Sequence, residues 1–391
     1  MKSKRTPPLD LEPIMLLLLM LWRRLHKLSG PGDKLQTREF RRVVECVKIL
    51  LAQHDGKQSL IGIDYFTNRE YLGAYLLYQW VIHYQEGMSL IGELPSTPKR
   101  ALDVCSGPAP FAFAALRHGV REVFAADRNQ AAMELGAEVC GRFGLPLSVR
   151  RWNCVKEAMP IEGKFDLITL GYALNELFPK LEKGWQEKQD RFVDYLLQKL
   201  TPQGYLILVE SSFAEDNNRI LSLRDRLVEG GVPIQAPCIW RGECPAIKTA
   251  NSPCYAQRDM EKPHLIKEIQ RSAGINLSSL KMTYLIVRSP KAAQLVLPDE
   301  KLYRVVSPPV ESFQGKRFYL CGVDGKKTLG SHFEEQPAEA KAFNYLKRGE
   351  LISIDNALEQ QGSIEIVEET TLKVKAACGK PVDEIADLNI L

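Results

Sequence analysis

No Cys-x-x-Cys pair occurs anywhere in this sequence, although it has nine cysteines. That removes the short paired spacing on which structural zinc sites usually draw. There is also no Cys-x-x-x-Cys-x-x-Cys triplet, which excludes the radical enzymes that carry one. No Gly-x-Gly-x-x-Gly is present, so the dinucleotide-binding turn is excluded as well. No apolar run reaches the roughly 20 residues needed to cross a bilayer. The longest, Ile14 to Trp22, follows Asp10 and Glu12, precedes Arg23 and Arg24, and has no small-residue cleavage site. It reads as a buried helix rather than a signal peptide. Internal repeats and low-complexity tracts are absent. An excess of one charge is nearly absent too, with 52 Lys/Arg against 48 Asp/Glu.

What remains is the composition of a soluble globular protein, 45% hydrophobic and 26% charged over 391 residues, enough for two or three domains. Its cysteines do not suit a secreted disulfide scaffold, so a reducing compartment is expected. The small basic excess is uneven: residues 1–60 hold 12 Lys/Arg against 6 Asp/Glu, whereas 291–391 hold 13 against 16. Candidate phosphate contacts are Lys2, Lys4, Arg5, Arg23, Arg24, Arg38, Arg41 and Arg42, with Arg150 and Arg151 further on.

The pattern divides the chain into a helical region over 1–95, an α/β domain over 96–292 and a small β-barrel-like module over 293–391. Thr67 to Glu70 reads as a capping box that opens a helix closed by Gly87. From residue 100 apolar strands alternate with helices, which predicts a parallel sheet with crossover helices. Strands are expected at 100–104, 122–126, 147–152, 165–170 and 205–210, with a late edge strand at 283–288. Short strands are expected near 303–306, 317–321, 351–354 and 364–367.

Leu102-Asp-Val-Cys-Ser-Gly-Pro-Ala-Pro110 occupies the first strand-to-helix turn. Small residues at Cys105, Ser106, Gly107 and Ala109 let a ligand press against the backbone. Asp103 is placed to reach an amino group. Asp127, ending the second strand, is placed to bind ribose hydroxyls, and Asn153 with Cys154 falls where an adenine edge is read. Gly171 closes the fourth strand. The stretch resembles class I S-adenosylmethionine (SAM)-dependent methyltransferases, which implies a Rossmann-like α/β sheet and SAM as cofactor. Two departures are visible, because Cys105 and Ala109 stand where glycines are usual and each narrows the pocket. The Asn/Asp-Pro-Pro-aromatic motif that grips a flipped base is missing after the fourth strand. Asn175 and Glu176 there read as caps of the following helix, and no catalytic base is named.

Cys238, Cys244, Cys254 and Cys321 form the other candidate site, three of them beside a proline. Proline and glycine keep such loops irregular, leaving backbone N–H groups free to point at sulfur. The four thiolates suit zinc or an iron–sulfur cluster, and spacing alone leaves both open. Taken with Arg304-Val-Val-Ser-Pro-Pro309, Asp324-Gly325 and Arg348-Gly-Glu-Leu351, they resemble the methyltransferase-like family of the small ribosomal subunit, which includes mitoribosomal assembly proteins and bacterial relatives. The resemblance covers roughly residues 65–355. It implies a 4Fe–4S cluster on Cys238, Cys244, Cys254 and Cys321, binding to the small subunit or its rRNA, and a role in assembly and translation. Ile239 and Ala246 depart from the polar residues usual there. An rRNA methyltransferase, a non-catalytic assembly factor and a small-molecule methyltransferase are the competing functions. A monomer in the bacterial cytoplasm, without membrane association, is expected, the mitochondrial matrix being the alternative.

Overall fold

The computed structural model describes residues 7–52, 65–248, 253–294, 300–313 and 315–381, and Lys2, Lys4 and Arg5 lie outside them. Two compact units are distinguished. The first takes the described residues of Met1–Ile91, Thr97–Ile207 and Asp259–Leu280, the second those of Gly92–Ser96, Leu208–Arg258 and Lys281–Leu391.

The first unit carries strands β1 (Arg100–Val104), β2 (Glu122–Asp127), β3 (Ser148–Arg151) and β4 (Phe165–Gly171), followed by β5 (Leu200–Ser211), in the order β3-β2-β1-β4-β5. The pairs β1–β2, β1–β4 and β2–β3 are parallel. β5 runs on into the second unit, where β6 (Ile234–Ala236), β7 (Ala256–Arg258) and β8 (Leu280–Arg288) extend the order as β5-β8-β6, with β7 also on β8. β6 and β8 are antiparallel. This is the Rossmann-like α/β sheet of class I methyltransferases, with its reversal of strand order between β1 and β4. Such reversals open a crevice at the carboxyl ends of the strands.

The apolar run at Ile14 becomes part of a helix, Leu11–His26. Ile14, Leu18, Leu21 and Trp22 are buried, whereas Leu16 and Met20 are about half exposed at 49% and 44%. It is therefore an amphipathic helix with a broad buried stripe. The helix expected to close at Gly87 is instead two, Arg69–Leu77 and Gln79–Gly92, broken at Tyr78. Its cap is Asn68, whose side chain accepts from the Glu70 N–H at 2.9 Å, in place of the expected Thr67 box. Gly87 ends nothing: a Cβ there would lie 2.9 Å from Ala114 and 3.0 Å from Phe111, so glycine permits a close helix contact.

The second unit holds an eight-stranded mixed sheet. Its strands are β9 (Leu302–Val305), β10 (Val310–Ser312), β11 (Gly315–Gly322), β12 (Gly325–Gly330), β13 (Leu351–Asp355), β14 (Leu358–Gln360), β15 (Ser363–Glu365) and β16 (Thr371–Ala376). They follow an open path, β14-β15-β12-β11-β9-β13-β16, with β10 on β11. Phe318 and Leu320 of β11 point into a core with Leu329, Phe343 and Ile352. The period of two puts Arg317, Tyr319 and Cys321 on the opposite face of β11.

Candidate functional site

A cavity of about 290 Å³ opens at the carboxyl ends of β1, β2, β3 and β4. Of the nine residues expected around a cofactor, Cys105, Gly107, Asp127, Asn153, Cys154 and Gly171 line it. Gly107 has φ +50°, and a Cβ there would sit 2.8 Å from the Phe66 ring, so both conformation and space require glycine. The Asp127 carboxylate accepts from the Gly107 N–H at 2.9 Å and from the Asn129 N–H at 2.8 Å. Two backbone donors thereby fix its direction at the cavity wall.

Asp103, Ser106 and Ala109 are placed elsewhere. Asp103 is buried, accepting from the Thr169 hydroxyl at 2.6 Å and from the Ala112 N–H at 3.1 Å. Burial pushes its carboxyl up to about 7, with those two bonds pulling the other way. It ties β1 to β4 and to the following helix rather than lining the cavity. Ala109 also turns away: its Cβ lies 2.8 Å from where a Cβ on Gly136 would be, so it packs on the helix Gln130–Arg142 and does not narrow the pocket. Ser106 is buried, and its Oγ has no hydrogen-bond partner. Asn175 and Glu176 lie inside the short helix Leu174–Leu177, so neither caps the next one, whose N-cap is Gly184.

Sequence reasoning missed the aromatic wall. Tyr65, Phe66, Tyr75, His83 and Tyr172 all line the cavity. His83 stacks on Tyr172 with centroids 4.1 Å apart and its Nδ1 lies 2.9 Å from the Tyr75 hydroxyl. Tyr172 donates to Glu86 at 2.8 Å, and burial pushes the Glu86 carboxyl up to about 8. Burial likewise drives the Tyr65 and Tyr75 hydroxyls well up, so both stay neutral donors. The available signal was the density of aromatics between Tyr65 and Tyr84, which an unbroken helix would have spread around its circumference.

All four candidate metal ligands line a second cavity, of about 240 Å³, within the second unit. Arg224 is buried and donates to Asp225 at 2.7 Å, to the Gly242 carbonyl at 2.5 Å and to the Trp240 carbonyl. Asp225 in turn accepts from the Cys244 N–H at 3.0 Å. Arg241 donates to the Cys238 carbonyl at 3.1 Å, Asn217 to the Cys254 carbonyl at 2.7 Å, and Arg304 to the Pro237 carbonyl at 3.0 Å. The loops are thus fixed by side chains where regular structure is lacking. Burial and neighbouring thiols push Cys244 up to about 11 and Cys321 up to about 12, and raise Cys254 further. Arg224, Arg304 and Arg348 oppose those rises. Among the described residues, no three His, Cys, Asp or Glu are disposed around a single metal ion.

Several of the basic residues singled out serve the fold. Arg23 is buried and paired with Glu39 at 3.1 Å, Arg24 binds Glu138, and Arg42 binds Glu70. Arg38, Arg41, Arg150 and Arg151 are exposed. No described helix is long and apolar enough to cross a membrane.

Comparison with known proteins places residues 89–329 within the family model "Mitochondrial small ribosomal subunit Rsm22". No curated protein matches the chain. Among solved structures, it is similar to the N-methyltransferase NodS of Bradyrhizobium japonicum WM9, bound to S-adenosyl-L-homocysteine. Identity there is 13%, covering 53% of this chain and 85% of that one at a TM-score of 0.34. The ribosomal protein L11 methylase of Lactobacillus delbrueckii subsp. bulgaricus is 15% identical, covering 54% and 77% at 0.32.

Proposed function

Since the chain belongs to the Rsm22 family of the small ribosomal subunit, we propose that it is a SAM-binding, methyltransferase-like factor that engages that subunit during its assembly. The observation that carries this is the cavity at the β1–β4 crevice, where Cys105, Gly107, Asp127, Asn153 and Cys154 converge. SAM supplies an electrophilic methyl group on its sulfonium. Asp127 would hold the ribose hydroxyls, Gly107 would let the methionine portion lie against the backbone, and Asn153 would face the adenine edge. Tyr65, Tyr75 and His83 form the wall an acceptor would approach.

In the second unit, Cys238, Cys244, Cys254 and Cys321 would hold a 4Fe–4S cluster. The donor set fits: four thiols, with no carboxylate or imidazole lining the cavity, and Arg224 and Arg348 beside them to offset anionic sulfur. Zinc is the alternative ion for the same four thiols. When bound, the cluster would clamp Cys238, Cys244 and Cys254 to Cys321 on β11, a structural role.

A non-catalytic role is the second reading. It is favoured by the wall after β4, where Tyr172 stacks on His83 and Asn175 does not line the cavity. Anaerobically purified protein is tested for iron and sulfide, for SAM binding by calorimetry, and for co-sedimentation with small subunits at rising salt. Labelled SAM then distinguishes transfer to rRNA from binding alone. Failure to bind SAM or to sediment with the subunit sinks the reading. The setting is a ribosome-containing compartment, bacterial cytoplasm or mitochondrial matrix.

A further inference from the structure

Two thiols face each other across the floor of the cavity. The Sγ atoms of Cys105 and Cys154 lie 3.6 Å apart, both are half-buried, and both line it. The facing is held from behind, because the two loops are tied to the same strand. The Ser106 N–H donates to the Ala126 carbonyl at 3.2 Å, and the Trp152 N–H donates to the Asp127 carbonyl at 2.9 Å. Cys105 keeps the left-handed conformation, φ +55°, that turns its side chain at this point. Of the other described cysteines in this unit, Cys46 and Cys140 are buried.

We propose that Cys105 and Cys154 are a reversible dithiol site, whose oxidation by a low-molecular-weight disulfide closes the nucleoside part of the cavity. This rests on the SAM reading of that cavity. The chemistry balances in two exchanges. The Cys154 thiolate attacks one sulfur of oxidised glutathione, forming a mixed disulfide and releasing one glutathione thiolate. Cys105, deprotonated, attacks the Cys154 sulfur and expels the second. Two electrons pass from the protein dithiol to glutathione, and the two protons leave on the two glutathione thiols. Cys105 is the second nucleophile because its hydrogen bond to Cys154 and its burial push its thiol well up.

An S–S bond is about 2.05 Å long, so bonding brings the sulfurs together from 3.6 Å. That movement draws the ends of β1 and β3 toward each other beneath the ligand. A binding arrangement built on Gly107 and Asn153 tolerates displacement of only about 0.5 Å. SAM binding and the disulfide therefore exclude one another, and bound SAM shields the pair.

The test uses the full-length protein, purified anaerobically with its metal content intact, and incubated with oxidised glutathione. Peptide mapping should find Cys105 linked to Cys154, formed more slowly when SAM is present. The linked protein should bind SAM at least tenfold more weakly in calorimetry, with recovery after dithiothreitol. The Cys105→Ser variant should stop at a glutathione adduct on Cys154. Two free thiols after prolonged excess oxidant overturn the proposal, as does linked protein that binds SAM like the reduced form. Reduced protein that fails to bind SAM overturns the cofactor reading itself, a distinct result.

Discussion

The Asp127 carboxylate holds the Gly107 backbone N–H at 2.9 Å, joining the end of β2 to the loop after β1. One side chain therefore shapes the loop and faces the ligand space. Asp127→Ala leaves the Gly107 and Asn129 N–H groups without their acceptor. It should weaken SAM binding at least tenfold and lower stability by about 1–3 kcal/mol, the cost of unsatisfied buried donors. Asp127→Asn, which keeps one carbonyl acceptor, should fall between. Calorimetry and urea unfolding of the two variants check this, and unchanged binding in Asp127→Ala would show that the carboxylate faces no ligand.

Gly107 is subject to two separable constraints. Its φ of +50° disfavours any side chain by roughly 1–2 kcal/mol, and a Cβ would meet Phe66 at 2.8 Å. Gly107→Ala should therefore lower both stability and SAM affinity. Adding Phe66→Leu should recover the steric part but not the conformational part. Full recovery in the double variant would mean that the backbone is free to leave the left-handed region.

How far these features were readable depends on burial. β1 and β4 are largely buried and mostly apolar, with Asp103, Asp166 and Thr169 among the polar exceptions, and their positions emerged within about a residue. Asp127 emerged with them, because it follows an apolar run at the strand end. β6, β7 and β12 did not: Ile234-Gln-Ala236, Ala256-Gln-Arg258 and Gly325-Lys-Lys-Thr-Leu-Gly330 are short or polar and carry no periodic signal. Cys238, Cys244 and Cys254 were legible through their proline neighbours and Cys321 only through the family resemblance, whereas the arginines that fix their loops were not legible. Arg224 sits on the helix Ala214–Glu229, and nothing local in sequence distinguishes it from a surface arginine. Asp103 misled for a related reason, since a strand-end acid before a glycine loop looks the same facing a ligand or facing Thr169.

Glu86 sets a pH dependence with a definite sign. Its carboxyl stands near 8 when folded against 4.5 as the ordinary value, because burial disfavours the charge. Between those values the native state keeps a proton that the unfolded state has lost, so stability falls as pH rises through that window. Asp103, raised from 3.8 to about 7, adds a contribution of the same sign lower in the range. Each group contributes at most about 1.4 kcal/mol per pH unit. Glu86→Gln keeps an acceptor for Tyr172 and removes the titration, so its unfolding free energy should fall less steeply between pH 5 and 8. A slope equal to wild type would mean that Glu86 is ionised in the folded protein.

Arg224 ties together the segment that carries Cys238 and Cys244. Its guanidinium binds the Trp240 and Gly242 carbonyls and Asp225, while Asp225 holds the Cys244 N–H. Arg224→Met fills the space but leaves two carbonyls without a donor and Asp225 without its cation. Breaking such a pair costs about 3 kcal/mol or more, and the lost free energy falls on the segment that presents Cys238 and Cys244. Iron and sulfide in the purified variant should drop together while the SAM cavity, in the other unit, still binds its ligand. Cys378→Ser is the matched control: its hydroxyl can still donate to the Gln257 and Arg348 carbonyls that the thiol reaches at 3.4 Å, so metal content should hold. Arg224→Lys retains the charge, yet a single ammonium cannot span carbonyls and carboxylate as the planar fork does, so partial occupancy is expected. Full metal content in Arg224→Met would mean that the proposed cluster organises its own loops, with the arginine contributing only packing.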